Sequence, residues 1–200
     1  MLSRGNEIDV FMKALKSRGL ILDTCIAILY IVGIFNREFI SDHEKLKGAY
    51  TKKDYQLLCR IASRAKSKFF ITTPYIITEL EYNLRIYTSR SGVDPKKEKM
   101  FLAYISYLEA AEKVYDSAEK LFRGFPKSIK MHGIADVSIL SIAKREGYAV
   151  LTDDKELHKS LTEEKVNAML FKNIGKKSII NQSKTLSEFG IDANSLQIYS

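Results

Sequence analysis

Thiols and imidazoles are scarce in this chain of 200 residues, which has two cysteines and three histidines. Cys25 and Cys59 form no CxxC pair, and His43, His132 and His158 are scattered, so no zinc site can be assembled from them. Cys25 lies inside an apolar run, where a small buried hydrophobe is the expected role. So few thiols fit a reducing cytosol and exclude a disulfide scaffold. No Ser-His-Asp arrangement is evident. Long apolar runs are missing as well. The longest, Leu20 to Phe35, is interrupted by Asp23 and is shorter than the roughly 20 residues of a spanning helix. The opening Met-Leu-Ser-Arg-Gly-Asn-Glu lacks the apolar core of a signal peptide. The expected setting is therefore cytoplasmic, with no membrane partner. Internal repeats, low-complexity segments and linkers are also absent, so one compact domain accounts for the length.

What is abundant is positive charge. The formal charge is +8 and the sequence pI about 9.3, with 46% hydrophobic and 28% charged residues. Such a surplus favours a polyanionic partner, nucleic acid or an anionic membrane surface. The plainer account is a lysine-rich solvated face. No helix combines a strongly basic face with an apolar face carrying membrane-type aromatics, so nucleic acid is the better fit. Lys52, Lys53, Arg60, Arg64, Lys66 and Lys68 make one basic stretch, and Arg85, Arg90, Lys96, Lys97 and Lys99 another. Such residues would position RNA through its phosphates. Interleaved tyrosines such as Tyr82 and Tyr87 could stack on unpaired bases. For any one of these residues, a solvated charge or a core-packed ring explains it equally well.

The apolar pattern alternates between strands and helices. Residues 7–17 predict a short amphipathic helix, with Ile8, Phe11, Met12 and Leu15 on one face. Leu20 to Leu22 reads as a buried strand and Thr24 to Gly33 as a helix. Residues 41–50 read as loop and 52–66 as a helix with Tyr55, Leu58, Cys59 and Ala62 inward. Lys68 to Ile71 is a second strand. Thr72-Thr73-Pro74 starts a helix, a threonine cap followed by proline in the first turn, and Glu79 lies on that helix. Asp94-Pro95 starts a long helix carrying Phe101, Ile105, Leu108 and Tyr115, running to about Phe122. Gly133 to Arg145 is helical, with Gly147 as its C-cap. Tyr148 to Leu151 is a third strand, residues 155–161 a short helix, and Val166 to Phe171 and Leu196 to Tyr199 are candidate further strands. The fold class is α/β with a central, mostly parallel, buried sheet.

The acids fall at telling places. Asp23 directly follows one apolar strand; Asp153 and Asp154 follow another, with only Thr152 between. Ligands of parallel α/β sheets bind beyond the carboxyl ends of the strands. Glu79 and Asp136 lie near helix starts among apolar neighbours. Singly, each has a structural explanation: Asp136 or Asp154 as a helix cap or favourable terminal charge, Glu79 as a solvated residue. Together they would repel one another and resist desolvation unless a cation compensates. Magnesium prefers oxygen ligands and keeps several waters, which suits a sparse acidic cluster.

These motifs resemble the PIN-domain family. Leu20-Ile21-Leu22-Asp23-Thr24-Cys25 resembles the first PIN motif, an apolar strand ending in Asp followed by Thr or Ser. Thr73-Pro74-Tyr75-Ile76-Ile77-Thr78-Glu79-Leu80 resembles the second, and Gly133-Ile134-Ala135-Asp136 the third. Val150-Leu151-Thr152-Asp153-Asp154 resembles the closing Thr-x-Asp motif, with Asp154 the aligned acid and Asp153 the variable residue. The resemblance covers roughly Gly19 to Leu157. It implies a PIN-like three-layer α/β/α domain and Mg²⁺- or Mn²⁺-dependent cleavage of single-stranded or structured RNA. Asp23, Glu79 and Asp136 would be the core ligands, with Asp154 completing the site, often through water. Thr24, Thr152 and Asp153 would support them.

The family includes VapC-type toxin ribonucleases, which pair with a small antitoxin protein, and RNA-processing or decay nucleases. This chain departs from the compact toxin pattern. A helical segment, 1–18, precedes the catalytic region 19–160. That region carries helical insertions near 41–66 and 94–122, and residues 161–200 complete or flank the same domain. The additions could build a homodimer surface or an RNA platform. Two alternatives are a PIN-like module that binds RNA without cutting and a phosphatase of the haloacid-dehalogenase type. The latter expects Asp-x-Asp, where this chain has Cys25.

Overall fold

The computed structural model describes residues 4–65, 70–85, 95–125, 130 and 132–174. Its centre is a sheet of five short strands: β1 (Leu20–Leu22), β2 (Phe70–Thr72), β3 (Ala111–Lys113), β4 (Ala149–Thr152) and β5 (Ala168–Leu170). All four pairings are parallel, in the order β3-β2-β1-β4-β5. Every residue of β1, β2 and β4 is buried. These central strands are covered on both faces, which is why they read as unbroken apolar runs rather than alternating ones.

α1 (Arg4–Ser17) precedes the first strand, and between the strands run α2 (Thr24–Phe35), α3 (Lys52–Ala62), α4 (Pro74–Leu84), α5 (Pro95–Ala110), α6 (Ala118–Gly124), α7 (Ile134–Glu146) and α8 (Lys155–Glu163). The result is the expected three-layer α/β/α arrangement, with the sheet parallel throughout. α2 packs against α3, α4 and α5, while α1, α7 and α8 lie against β4. α2 needs close approach at one point: a Cβ on Gly33 would stand 2.1 Å from the Tyr55 ring of α3. Gly147 ends α7 at φ 75° in the left-handed conformation, as its sequence position predicts. Among the described residues no helix is long and apolar enough to cross a membrane.

Three expectations are corrected. The helix expected from Asp94-Pro95 to about Phe122 is broken. α5 stops at Ala110 and the chain passes directly into β3, which pairs with β2 through Phe70↔Ala111 and Thr72↔Lys113. This edge strand buries only Ala111, so it carries no apolar run to signal it. The inward face of α5 is Met100, Ala103, Tyr104 and Tyr107; Phe101 and Tyr115 are exposed. On α3 the fourth buried residue is Ile61, and Cys59 is only partly buried. The second strand begins at Phe70 within the described residues, and the candidate strand at Leu196 to Tyr199 lies outside them. The side chain of Ile8 and the residues Lys66, Lys68, Tyr87, Arg90 and Asp94 also lie outside.

Candidate functional site

The strand order reverses between β1 and β4. The chain lays β2 and β3 on one side of β1, then β4 and β5 on the other. A crevice opens at such a reversal, beyond the carboxyl ends of the two strands. Asp23 is the residue after β1, and Thr152 is the last residue of β4. Register makes them neighbours: Leu22 pairs with Leu151, and the Asp23 amide donates to the Leu151 carbonyl at 3.0 Å. The Thr152 hydroxyl then donates to Asp23 Oδ2 at 2.7 Å. The same hydroxyl oxygen accepts the amide of Asp154 at 2.9 Å, so one threonine fixes both acids of this edge.

Glu79 arrives from the other side. α4 starts where Thr73 caps it, its hydroxyl accepting from the Ile76 amide at 3.3 Å with Pro74 at the first position. Glu79 lies in its second turn. Thr24, the first residue of α2, donates its hydroxyl to Glu79 Oε2 at 2.6 Å. The Thr73 and Ser138 hydroxyls meet at 2.9 Å and tie α4 to α7, on which Asp136 is the third residue.

Burial and mutual charge set the electrostatics. Burial pushes the Asp23 carboxyl up to about 6; the Thr152 hydroxyl and Thr24 amide oppose this, and the charges on Asp154 and Glu79 add to it. Burial pushes Asp136 up to about 8, helped by the charges of Asp23, Glu79 and Asp154. Four acids from four separate stretches of sequence therefore feel one another. Among the described residues none of them forms an ion pair with Lys, Arg or His. Nor, among those residues, do any three His, Cys, Asp or Glu side chains close into a cage able to hold a metal ion. The four form an electrostatic cluster with oxygen donors, not a finished coordination shell.

The remaining sequence candidates divide. Asp154 does cap α8, its Oδ1 accepting from the amides of Glu156 and Leu157 at 2.7 and 2.9 Å. Asp153 points elsewhere, accepting from Tyr50 Oη at 2.8 Å and from the Lys172 amide at 2.7 Å. His132 is half-buried against Ser160, not in an open loop. Cys25, partly buried, meets Tyr50 Oη at 3.1 Å, and burial pushes its thiol up to about 12, so it is no nucleophile.

Two residues escaped the sequence reading. Tyr50, 5% exposed, joins Cys25 to Asp153 directly behind the acid edge. Its only sequence signal is that Leu46 and Tyr50 are bulky residues in an otherwise polar segment. Asp116 is buried beyond the end of β3 and is held by Lys120, Ser141 and Arg145. A cavity of about 280 Å³ also lies between Phe39, His43, Leu84 and Met100; none of the four acids lines it.

Comparison with family models, with curated proteins and with solved structures gave no match to this chain.

Proposed function

We propose that this chain is a PIN-like, divalent-metal-dependent endoribonuclease that uses Asp23, Glu79, Asp136 and Asp154 to hold Mg²⁺ or Mn²⁺ against an RNA phosphodiester. One observation carries the reading: four carboxylates with no cationic partner among the described residues gather at the sheet's reversal point. Ionised acids crowded together in a partly buried site are costly unless a cation compensates. The donor set is all oxygen, which suits a hard ion. Mg²⁺ commonly keeps several waters and takes only one or two carboxylates directly, so a closed cage is not required. Such an ion would lower the pKa of a bound water and offset charge on the phosphorane and leaving oxygen.

The chain's own groups hold and orient. Thr152 fixes one oxygen of Asp23, and Thr24 fixes one oxygen of Glu79. Asp154 commits Oδ1 to the start of α8, leaving Oδ2 for the site. Hydroxyls that bind one oxygen of each acid orient the other, as partners behind metal ligands do. The surplus of positive charge supports a polyanionic substrate. The two free thiols support a cytoplasmic setting.

A rival reading, a module of the same kind that binds RNA without cutting, draws on the open spacing of the acids. Incubation with total RNA, with and without Mn²⁺, followed by mapping of cut ends, separates the two. Metal-dependent cuts that vanish in Asp136→Asn, while that variant still binds RNA, support the nuclease. RNA binding with no cuts in the wild type sinks it.

A further inference from the structure

α4 carries more than Glu79 on its outer surface. Its buried residues are Ile76, Leu80 and Leu84. Tyr75, Glu79 and Tyr82 stand at i, i+4 and i+7, which places them within an arc of about 60° on the helix. Along the axis, Tyr75 lies about 6 Å before Glu79 and Tyr82 about 4.5 Å after it. Tyr82 is 82% exposed, an unusual position for so large a ring. Tyr75 is partly buried with some of its surface open, and its ring is steadied by an Oη bond to the Asp116 carbonyl at 3.2 Å. Tyr115 stands near Tyr75 and is 62% exposed. Aromatic faces thus lie on both sides of the one acid that α4 contributes to the cluster.

Packing does not account for these rings. Tyr82 is absent from the core, and Tyr115 is absent as well. Rings with a free face suit partners with a flat π-surface, and a nucleobase has one whatever its identity. Bases in a duplex are already stacked on their neighbours, so only unpaired bases can use such a surface. The spacing also fits. The two residues stand about 10.5 Å apart along the helix axis, which leaves room for an extended strand to cross Glu79 between them.

We propose that Tyr82 and Tyr75 are base-stacking subsites on either side of the acid cluster, so that the chain grips RNA at an unpaired segment whose backbone crosses Glu79. This rests on the ribonuclease reading for the choice of RNA and for the role of Glu79. Tyr82 supplies the freer platform and Tyr75 the pre-oriented one. The steadied ring gives up less freedom on binding.

The test uses the full chain without metal, so that binding is read apart from cleavage. A short unstructured RNA carrying a fluorophore is titrated by anisotropy, beside the same RNA annealed to its complement. Tyr82→Ala is expected to weaken the unpaired RNA on the order of tenfold and to leave the duplex unchanged. Tyr82→Phe, which keeps the ring, should bind as the wild type does. Equal affinity of Tyr82→Ala and wild type for the unpaired RNA overturns the proposal. So does an equal loss on the duplex, which would mark a general effect on phosphate contacts. Unpaired DNA of the same sequence bound more tightly than the RNA would overturn the choice of occupant. The two readings fail separately. Binding through Tyr82 with no Mn²⁺-dependent cuts keeps the stripe and removes the nuclease. Cuts by a protein whose RNA affinity ignores Tyr82 do the opposite.

Discussion

Asp116 and Asp23 both follow strands of the same sheet and both are buried, yet the fold treats them in opposite ways. Around Asp116, burial pushes the carboxyl up but is outweighed by Lys120, Ser141 and Arg145, which hold it below its ordinary value. Lys120 Nζ and Arg145 Nη1 each reach Asp116 Oδ1 at 2.5 Å, and the Ser141 hydroxyl takes Oδ2 at 2.8 Å. At the acid edge, burial pushes Asp23 up to about 6 and Asp136 up to about 8, and the neighbouring charges push the same way. One buried acid is provided with its cations by the chain. The other cluster has none among the described residues. A site that the fold leaves electrostatically incomplete is a candidate for a ligand that completes it.

The largest expected effect tests the completed site. Asp116→Ala removes the buried acid that Lys120 and Arg145 share, leaving Arg145, among the described residues, with Glu146 alone, and removes the acceptor of Ser141. Losing these three charge-assisted bonds, discounted because Lys120 and Arg145 are largely in contact with solvent, costs about 3 kcal/mol, a drop in Tm of roughly 6–12 °C for a chain of this size. The variant should keep any response to Mn²⁺. A Tm within about 2 °C of wild type would show that the Asp116 cluster does not bear on stability as argued.

The next effect tests the incomplete site. Mn²⁺ should raise the wild-type Tm, by about 2.7 kcal/mol of added stability when the free ion is a hundred times its Kd. Asp136→Asn should abolish most of that gain. Without metal, the same variant should be at least as stable as wild type, because it removes a desolvated charge and its repulsion with Asp23, Glu79 and Asp154. The two clusters should thus respond to loss of an acid with opposite signs. A metal-free Asp136→Asn protein much less stable than wild type would break the contrast.

A further effect lies in pH. Asp23 and Asp136 have folded values near 6 and 8, above the ordinary 3.8. A raised acid favours folding while protonated. Its contribution is present below about 4 and is lost as pH rises through the folded value. Metal-free protein should therefore lose stability from these groups between about pH 4 and pH 8. Asp116 behaves the other way, its contribution present above about 4 and lost only as pH falls through its lowered value. Melting curves of wild type and Asp136→Asn without metal should converge toward pH 4, where Asp136 is protonated, and separate by pH 8. Parallel curves across that range would count against the charge on Asp136.

The two clusters also differ in how far they could be read in the sequence. Asp23 and Asp154 were legible because a fully buried strand is an apolar run, and an acid at its end is an abrupt local signal. Glu79 followed from the Thr73-Pro74 start of α4, again a local cue. Asp116 had no such cue. It follows β3, whose single buried residue leaves no run, and the helical spacing of Phe101, Ile105 and Leu108 read straight through it. Its partners Ser141 and Arg145 lie 25 and 29 residues away in the chain. Tyr50 was hidden for the same reason, since its bond to Asp153 spans 103 residues. Contacts between distant residues leave no periodicity, so the sequence announced the acids that end strands and, through the family resemblance, Thr24 and Thr152 beside them, but concealed Tyr50 and the partners of Asp116.

Tyr50 gives the smallest expected effect, and it bears on both clusters' logic. Its hydroxyl lies between Cys25 Sγ and Asp153 Oδ2, and Lys172 Nζ sits 4.9 Å over its ring. Asp153 also accepts the Lys172 amide, so Tyr50 helps to anchor the turn from β4 into α8. That turn carries Asp154 toward the acid edge. Tyr50→Phe keeps the ring and its packing against Phe171 but deletes the hydroxyl's bond to the Asp153 carboxylate and its contact with Cys25 Sγ, at a cost of about 1.5 kcal/mol. If the turn serves only stability, the Mn²⁺ increment in Tm should be the same as in wild type. If Tyr50 positions Asp154 through Asp153, the increment should shrink as well, and Asp154→Asn should make the two backgrounds respond alike. A double-mutant cycle on the Mn²⁺ increment reads this directly. Strict additivity of Tyr50→Phe and Asp154→Asn would reduce Tyr50 to a packing residue, whereas coupling would make it a positioning residue for a site it never touches.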